Sequence, residues 1–413
     1  MTNPTQGALS HIKVLDLSRV LAGPWCTQML ADLGADVIKV ERPVVGDDTR
    51  HWGPPFLQDA DGNNTEQASY YAACNRNKRS VTIDMSKPEG QALIRTLALQ
   101  SDIVVENFKV GGLTQYGLDY ESLRKLNPKL IYCSITGFGQ DGPYAERAGY
   151  DLMIQAMTGM MSITGQAEAP PMRVGVAIVD VFTGVYATSA ILAALEVRHR
   201  TGEGQLIDMA LLDVGMAILA NQAAGFLNTG KVPLRQGNSH PSLAPYQDFE
   251  TADGAMLLAV GNDGQFARFC EVAGHFEWAT DARFTSNTAR VTNRVALVEL
   301  MQSVTRTRST AAWIAALEDK AVPCGPINTM DQAFVDAQVQ HRGLKITQPN
   351  SPEEQAQTSV AAISSVASPL RLMSTPPVLR NPPPALGEHT REVLTEMGLD
   401  AAQIAALQMG KVV

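Results

Sequence analysis

The chain has 413 residues, of which 45% are hydrophobic, and its 33 basic and 42 acidic side chains give a formal net charge of -9. This length indicates two or three domains, and the acidic balance argues against a dedicated nucleic-acid-binding protein, which normally presents a basic face. Five cysteines without a C-x-x-C pair predict neither a zinc knuckle nor a disulfide framework, and the polar N-terminus predicts a cytoplasmic protein without a membrane segment.

The first part of the chain alternates short apolar runs, rich in β-branched residues, with segments of helical spacing. Strands are predicted over 12–17, 36–40, 102–105 and 130–135, and helices over 24–33, 87–100 and 118–126. This alternation predicts an α/β fold with a parallel, doubly wound sheet. A long apolar helix is predicted over 181–198, buried between layers of the fold.

The pattern changes after about residue 221. A strand over 254–260 and helices over 265–273, 292–304 and 310–319 predict a smaller domain at 225–331, after a large domain that begins with 1–224. Residues 348–385 are rich in Pro, Ser and Gln, which predicts an irregular return segment within 332–413, before a last helix at 390–397.

Several common sites lack their motifs in this sequence. The segment after the first strand, from Ser18 to Pro24, does not have the G-x-G-x-x-G pattern of a dinucleotide site. The seven histidines have no metal-binding spacing, and there is no G-x-S-x-G nucleophile elbow. Ligands of doubly wound sheets bind at the carboxyl ends of the strands, so we expect the site there. Because the motifs above are missing, we expect neither a metal nor a permanently bound cofactor in it.

Asp180 is the first candidate for chemistry. It lies in the apolar run 176–184, just before the predicted long helix. Burying a carboxylate costs free energy unless it is paired or functional, and the macrodipole at a helix N-terminus would stabilise its charge. Asp180 is therefore either a helix N-cap or a nucleophile of the kind that forms covalent intermediates.

Two further features are compatible with an anionic ligand. A glycine-containing segment between a strand and a helix would let backbone N–H groups approach an oxyanion, although a plain turn has the same pattern; it consists of Gly261, Asn262, Asp263, Gly264 and Gln265. A set of basic residues near the expected ligand edge either holds phosphates or is a solvated surface: Arg19, Arg42, Arg76, Lys78, Arg79 and Lys109.

The ordered motifs resemble those of the family III CoA-transferases, which include formyl-CoA:oxalate and carnitine CoA-transferases and the α-methylacyl-CoA racemases. The matching segments run along nearly the whole chain: VLDL (14–17), AGP (22–24), LGADVIKVER (33–42), NRNKRS (75–80), VENF (105–108), SITGFG (134–139), GP (142–143), GYD (149–151), VAIVDVFTG (176–184), AALE (193–196) and GEGQ (202–205). No single motif is decisive, but the ordered set is specific to this family.

The resemblance implies a large Rossmann-like domain built from both chain ends, a smaller middle domain and an interlocked homodimer. The return segment would bring the chain back to the large domain. The implied substrates are an acyl-CoA thioester and a carboxylic acid, with no nucleic-acid or membrane partner.

The resemblance also implies roles for particular residues. Asp180 would be the catalytic aspartate, attacking the thioester to give a mixed anhydride and then an aspartyl-CoA intermediate, and the 261–265 segment would be a glycine loop that closes over that intermediate. The implied CoA-binding residues are Val20, Leu21, Ala22, Arg42, Arg76, Lys78, Arg79, Asn107, Phe108 and Tyr150.

Three alternative functions are a racemase, an oxalate CoA-transferase and a non-catalytic CoA-binding protein, and departures from the family pattern argue against the first two. Racemases carry a histidine where this chain has Tyr150, and a phenol is a poorer base at neutral pH. Asn262 and Asp263 within the glycine segment, together with Gln115, argue against oxalate as a substrate. A non-catalytic CoA-binding protein is the third alternative, and it predicts that replacing Asp180 changes nothing.

A further segment bears on the choice of acid. Residues 235–241 and 245–247 resemble those of relatives that use succinyl-CoA and small dicarboxylates. Arg235 or His240 would then hold the distal carboxylate of the substrate, although a structural turn would give the same pattern.

Overall fold

A computed structural model describes residues 7–352, 355–356 and 359–413. They form two compact units: the first comprises the chain up to Thr158, Gly175–Ala223 and Ala337–Val413, and the second comprises Gly159–Val174 and Ala224–Asp336. No sequence pattern predicted that Gly159–Val174 belongs to the second unit. The described strands are, in chain order, β1 (Lys13–Asp16), β2 (Asp36–Glu41), β3 (Phe56–Gln58), β4 (Asn64–Ala68), β5 (Lys78–Thr82), β6 (Ile103–Glu106), β7 (Ile131–Thr136), β8 (Leu206–Ala210), β9 (Tyr246–Glu250), β10 (Ala255–Ala259), β11 (Cys324–Pro326), β12 (Lys345–Pro349) and β13 (Ala362–Val366).

The helices of the described residues follow the same numbering along the chain. They are α1 (Ala22–Asp32), α2 (Ser69–Ala72), α3 (Pro88–Leu99), α4 (Tyr120–Leu126), α5 (Asp151–Met157), α6 (Met160–Ile163), α7 (Ile178–Thr201), α8 (Leu211–Ala217), α9 (Ala220–Thr229), α10 (Asp263–Ala273), α11 (Glu277–Thr280), α12 (Asn287–Thr292), α13 (Arg294–Thr305), α14 (Thr310–Asp319), α15 (Met330–Val335), α16 (Ala337–His341), α17 (Thr390–Glu396) and α18 (Ala401–Met409).

The first unit is built on a six-stranded sheet in the order β5-β2-β1-β6-β7-β8. Every neighbouring pair in it is parallel, which confirms the predicted parallel sheet. All residues of β6 and β7 are buried, because helices cover both faces of a parallel sheet. The chain leaves β1 towards β2 on one side and later returns to β6 on the other, so the topological switch point lies between β1 and β6.

The long helix α7 packs against α1 in the first unit. Its existence was predicted, but the expected burial is only partial, because Phe182, Tyr186 and Leu192 are exposed whereas Ala187 and Ile191 are buried. By length and composition alone α7 could cross a membrane, a test that core helices of soluble proteins also meet.

Two segments contain strands that were not predicted from the sequence. The basic segment around Arg76 and Arg79 was expected to be a ligand-binding loop, yet Lys78–Thr82 is strand β5 and pairs with β2. The return segment was expected to be extended and mostly irregular, and most of its described residues are, but β12 and β13 pair in an antiparallel ladder. Four positions of that predicted segment, 353–354 and 357–358, lie outside the described residues.

The second unit has a three-stranded antiparallel sheet, with β10 between β9 and β11. Helices α10, α13 and α14 confirm the helices predicted for this part of the chain. Their apolar faces enclose a core in which Phe249, Phe269 and Trp313 are fully buried.

Candidate active site

A cavity of about 400 Å³ opens in the first unit at the carboxyl ends of β1, β6 and β7. Its walls come from the segments that follow these strands and from the start of α7: Arg19, Val20, Leu21, Ala22, Asn107, Phe108, Lys109, Thr136, Gly137, Tyr150 and Asp180. Because parallel strands end together at the switch point, residues from distant parts of the sequence meet there. The structure therefore brings Asp180 together with six of the residues expected to bind CoA.

Asp180 is half-buried in the first turn of α7. Burial raises the pKa of its carboxyl to about 7, and the negative charge of Asp151 adds to that increase. Loss of solvation and a nearby like charge both disfavour the ionised form. A carboxyl with a pKa near neutrality inside a ligand-sized cavity has the properties of a reactive group.

The N-terminus of α7 is capped by Asp151, which lies in α5. Its Oδ1 atom accepts hydrogen bonds from the backbone N–H of Val179 at 2.8 Å and of Asp180 at 3.3 Å. Its Oδ2 atom accepts from Gln155 Nε2 at 2.6 Å. The N-cap residue of α7 is Ala177, so the interpretation of Asp180 as the N-cap is wrong and its side chain is free of that role.

Two aromatic residues near the cavity were missed from the sequence. Trp52 lines the cavity and packs edge-on against Tyr70, with ring centroids 5.6 Å apart. Burial raises the pKa of Tyr70 to about 12, and the charge of Asp180 contributes, so the phenol keeps its proton at neutral pH. Both residues lie in a polar part of the sequence with no periodic signal, and only the fold brings them to Asp180.

A second cavity of about 560 Å³ shares Arg19, Asp48, Phe108 and Lys109 with the first. Arg42, another predicted CoA-binding residue, lines this second cavity and is exposed. Arg19 forms an ion pair with Asp48 at 2.8 Å. The shared walls give room for a ligand longer than either cavity alone.

Three predicted CoA-binding residues line neither of these two cavities. Arg76 is paired with Asp32, and Arg79 is paired with Asp36, Glu392 and Glu396. Lys78 is completely buried, with its Nζ atom 3.0 Å from Asp16 Oδ2. Because carboxylates of the same unit pair with all three residues, the expectation that Arg76, Lys78 and Arg79 bind the phosphates of CoA is wrong.

The 261–265 segment joins β10 to α10 in the second unit. Asn262 caps α10 by accepting from Gln265 N at 2.9 Å, and Gln265 Oε1 accepts from Gly261 N at 2.7 Å. Asp263 forms an ion pair at 2.7 Å with Arg290. The local geometry is a well-capped strand-to-helix turn, and a role as a closing loop stays a prediction.

The two residues expected to hold a distal carboxylate also lie in the second unit. Arg235 donates to the carbonyl oxygens of Ser162 at 3.2 Å and Gln166 at 3.3 Å. His240 Nδ1 accepts from Ser242 N at 3.0 Å, and its ring packs against Tyr246. Their role in binding a carboxylate stays a prediction.

No cluster of His, Cys, Asp and Glu suited to a metal ion occurs within 7–352, 355–356 and 359–413. The lining of the cavity in the first unit includes the carboxyl group of Asp180 and the basic side chains of Arg19, Lys109 and Arg147.

Comparison with known proteins finds similar sequences along nearly the whole chain. The model of "CoA-transferase family III" matches residues 9–390. The chain is 53% identical over 389 residues to the succinate–glutarate CoA-transferase of Agrobacterium fabrum, covering 94% of this chain and 95% of that protein. It is 43% identical to the succinyl-CoA:glutarate CoA-transferase of Mus musculus, covering 94% of this chain and 86% of that protein.

A solved structure is similar along almost the whole chain. The crystal structure of a CAIB/BAIF family protein from Brucella suis has a TM-score of 0.83 and 49% sequence identity, covering 95% of this chain and 100% of that chain. The fold is thus shared with a CAIB/BAIF family protein, and the sequence is similar to that of proteins whose names include CoA transfer.

Proposed function

This chain belongs to CoA-transferase family III, and on that premise we propose that it moves CoA from succinyl-CoA to a dicarboxylic acid through a covalent intermediate on Asp180. It is an enzyme that transfers CoA. The observation that carries the proposed role of Asp180 is its carboxyl group, half-buried in the cavity with a pKa raised to about 7.

The proposed reaction exchanges acyl groups without consuming water. A carboxylate oxygen of Asp180 attacks the thioester carbonyl carbon, the C–S bond breaks, and a mixed anhydride and CoA thiolate result. The thiolate then attacks the aspartyl carbonyl, releasing the donor acid and leaving an aspartyl-CoA thioester. The acceptor carboxylate attacks the carbonyl carbon of this thioester, the C–S bond breaks, and a second anhydride and CoA thiolate result. The thiolate finally attacks the acceptor acyl carbon, which frees Asp180 and completes the new thioester.

Each of these steps passes through a tetrahedral oxyanion, and each anhydride must be protected from water. One backbone N–H donor aimed at an oxyanion contributes about 3–4 kcal/mol to such a transition state. The 261–265 segment, with glycines at both ends of its turn, is our candidate for donors that approach the intermediate. Keeping water out preserves the anhydride for the acceptor acid.

CoA would lie along the two cavities that share walls in the first unit. Val20, Leu21, Ala22 and Tyr150 line the cavity that holds Asp180, where the thioester must react. Arg42 and Lys109 line the second cavity and are exposed, so they are our candidates for charge-assisted hydrogen bonds to the phosphates.

Succinyl-CoA and glutarate are the first substrates to test, because relatives with 53% and 43% identity are named for succinate or succinyl-CoA and glutarate. A relative from Haloarcula hispanica with 38% identity is named for mesaconate, another dicarboxylate. We assign the distal carboxylate of the acceptor to Arg235 or His240.

We also propose that two copies of the chain form a dimer in the cytoplasm. The support is apolar surface left uncovered in a single chain, on α7 and in the stretch that includes Phe226, Leu227, Val232 and Leu234. Solvent-exposed apolar patches of this kind mark protein interfaces. Analytical ultracentrifugation tests the proposal, and a monomer at micromolar concentration would contradict it.

The test of the proposed chemistry is to trap the intermediate. The protein is incubated with succinyl-CoA, reduced with borohydride, and digested, and the peptide that bears Asp180 is examined by mass spectrometry. We expect a reduced alcohol on Asp180, and no such product in Asp180→Asn.

The matched control is Asp213→Asn, which removes an exposed carboxylate from the first turn of α8 and should be labelled at Asp180 like the wild type. The acceptor panel is succinate, glutarate, malate and itaconate. Transfer to monocarboxylates alone would contradict the dicarboxylate assignment, and exchange of the α-proton with solvent without labelling would indicate a racemase.

A further inference from the structure

The 18–20 segment, between β1 and α1, has a backbone held almost entirely by side chains. Asp16 Oδ1 accepts from the backbone N–H of Ser18 at 2.9 Å, and Lys39 Nζ donates to the carbonyl oxygen of Ser18 at 2.8 Å. Asn107 binds Arg19 twice, accepting from its N–H at 2.9 Å and donating to its carbonyl oxygen at 2.7 Å.

The last residue of this segment, Val20, is held in the same way. Both carboxylate oxygens of Asp47 lie 3.3 Å from its backbone N–H, and Cys74 Sγ donates to its carbonyl oxygen at 3.7 Å. Six consecutive backbone polar groups therefore have side-chain partners from five residues, two on strands β1 and β2 and three in the segments that follow β2, α2 and β6.

Val20 needs such partners because its backbone is in the left-handed region, with φ at 72°. A β-branched side chain strongly disfavours this conformation, whereas glycine adopts it freely. Strained residues persist only where the surroundings over-determine them, and they concentrate at functional sites. Val20 lines the cavity that holds Asp180.

The residues that hold Val20 are themselves fixed. The side chains of Asp47 and Lys39 are at most 1% exposed and form an ion pair at 2.9 Å. Asp47 Oδ1 also accepts from Thr49 N at 3.0 Å and from its hydroxyl at 2.8 Å. The strained residue is thus tied to the interior on one side and borders the cavity on the other.

We propose that Asn107 and Asp47 are positioning residues for CoA transfer, which hold Val20 in its left-handed conformation so that residues 20–22 form a rigid wall against the reacting thioester. This inference rests on the proposed function. A displacement of about 1 Å in such a wall is enough to cost on the order of 100-fold in rate. Asn107 would then act through the backbone of Arg19 and Val20 and not by touching CoA.

The two roles of Asn107 can be separated by glycine at position 20. Asn107→Ala removes both bonds to Arg19 without leaving a buried charge, and we expect kcat for succinyl-CoA and glutarate to fall 10- to 100-fold with KM changed less than threefold. Glycine adopts the left-handed conformation without strain, so position 20 needs less support from Asn107 once Val20→Gly is added. The kcat of the double variant should therefore be at least fivefold higher than that of Asn107→Ala. Val20→Gly alone completes the cycle, so that the loss of kcat caused by Asn107→Ala is measured with valine and with glycine at position 20.

A matched control is Asn127→Ala. Asn127 also bridges two backbone groups, donating to Ser101 O at 3.3 Å and accepting from Lys129 N at 3.2 Å, but it lines neither cavity. Its loss should lower the melting temperature and leave kcat unchanged. Asp47→Asn gives a second route, because its loss of kcat should also be reduced by Val20→Gly.

The outcomes distinguish this inference from the proposed function. If the wild type transfers CoA but the double variant is no faster than Asn107→Ala, Asn107 acts by direct contact and the inference is wrong. If the wild type transfers CoA to no acid, the proposed function is wrong and this inference with it. Recovery of kcat in the double variant, with Asn127→Ala as active as the wild type, supports the positioning role.

Discussion

At Asp180, burial and the charge of Asp151 act in the same direction, since both disfavour the carboxylate. The protonated form is not a nucleophile, so the group is reactive only when it has lost its proton. A pKa of about 7 means that the reactive fraction changes steeply near neutral pH. Poor solvation makes the ionised carboxylate a stronger nucleophile, but in acid a smaller fraction of the group is ionised.

We therefore expect kcat/KM to rise about tenfold per pH unit below pH 7 and to level off above about pH 8. Asp151→Asn removes the like charge and keeps an oxygen for Val179 N, so the rise should move to lower pH. The measurement is a pH profile with succinyl-CoA from pH 5.5 to 9. A flat profile, or a shift to higher pH in the variant, would contradict this account of Asp180.

At the same scale, the sequence predicted Asp180 and six other residues of its cavity, but not Trp52, Tyr70 or the capping role of Asp151. Asp180 stood out because a carboxylate in an apolar run is unusual, and the family motif contains it. Tyr70 and the capping role of Asp151 depend on contacts across the fold, which no local pattern encodes. Lys78 was misjudged for the same reason, because its partner Asp16 is 62 residues away.

At the scale of elements, Arg290 connects three parts of the second unit. The guanidinium of this fully buried residue of α12 donates to the carbonyl oxygens of Ala244 at 2.6 Å and Phe284 at 2.9 Å, and to Asp263 Oδ1 at 2.7 Å. It also lies over the ring of Phe266. The start of α10 and the approach to β9 are thus held by one side chain.

Replacing Arg290 by Lys should destabilise the second unit by roughly 2–4 kcal/mol, because one ammonium group cannot reproduce the planar fork and leaves buried carbonyl groups unpaired. Urea unfolding followed by tryptophan fluorescence measures this, since Trp278 and Trp313 are buried in that unit. Asp263→Asn, at the exposed end of the same ion pair, should cost less than about 1 kcal/mol. Equal stability of Arg290→Lys and the wild type would exclude the connecting role.

Elements with local signals were predicted well, and those with distant partners were not. Helix α14 begins and ends where its pattern predicts, because Ser309 caps it through a bond to Ala312 within the same turn. Strand β5 was missed because its alternation places Lys78 and Ser80 inside, where polar residues are not expected. The pairing of β12 with β13 was not predicted, because the Pro and Ser residues that flank these strands are typical of irregular segments.

At the scale of the whole molecule, the first unit is completed by the C-terminal part of the chain. Val412 is buried in its core, and its carbonyl oxygen accepts from Asp84 N at 2.7 Å. Lys87 Nζ donates to the carbonyl oxygens of Gly410 at 2.6 Å and Lys411 at 2.9 Å. The second unit has a separate core made from its own residues.

Deleting residues 401–413 should therefore unfold the first unit and leave the second resistant to protease. Loss of the buried side chains of Ile404 and Val412 alone removes about 3–6 kcal/mol of apolar burial. Limited proteolysis with mass spectrometry of the fragments tests this, with full-length Met409→Ala, at an 80% exposed position, as the control. Survival of fragments from β1 to β8 would contradict it.

The distance along the chain between Ala35 and Arg380 has a consequence during protein synthesis. Arg380 donates to the carbonyl oxygens of Ala31, in the last turn of α1, and of Gly34 and Ala35, which follow that helix. These three hydrogen bonds form only after a residue at least 345 positions further along the chain has been made. At about 5–20 residues per second, the ribosome needs on the order of tens of seconds to reach it. The second unit is synthesised within that interval and can fold first. The nascent sheet must meanwhile stay soluble without its last segment, which makes this period the one in which chaperones would be needed most.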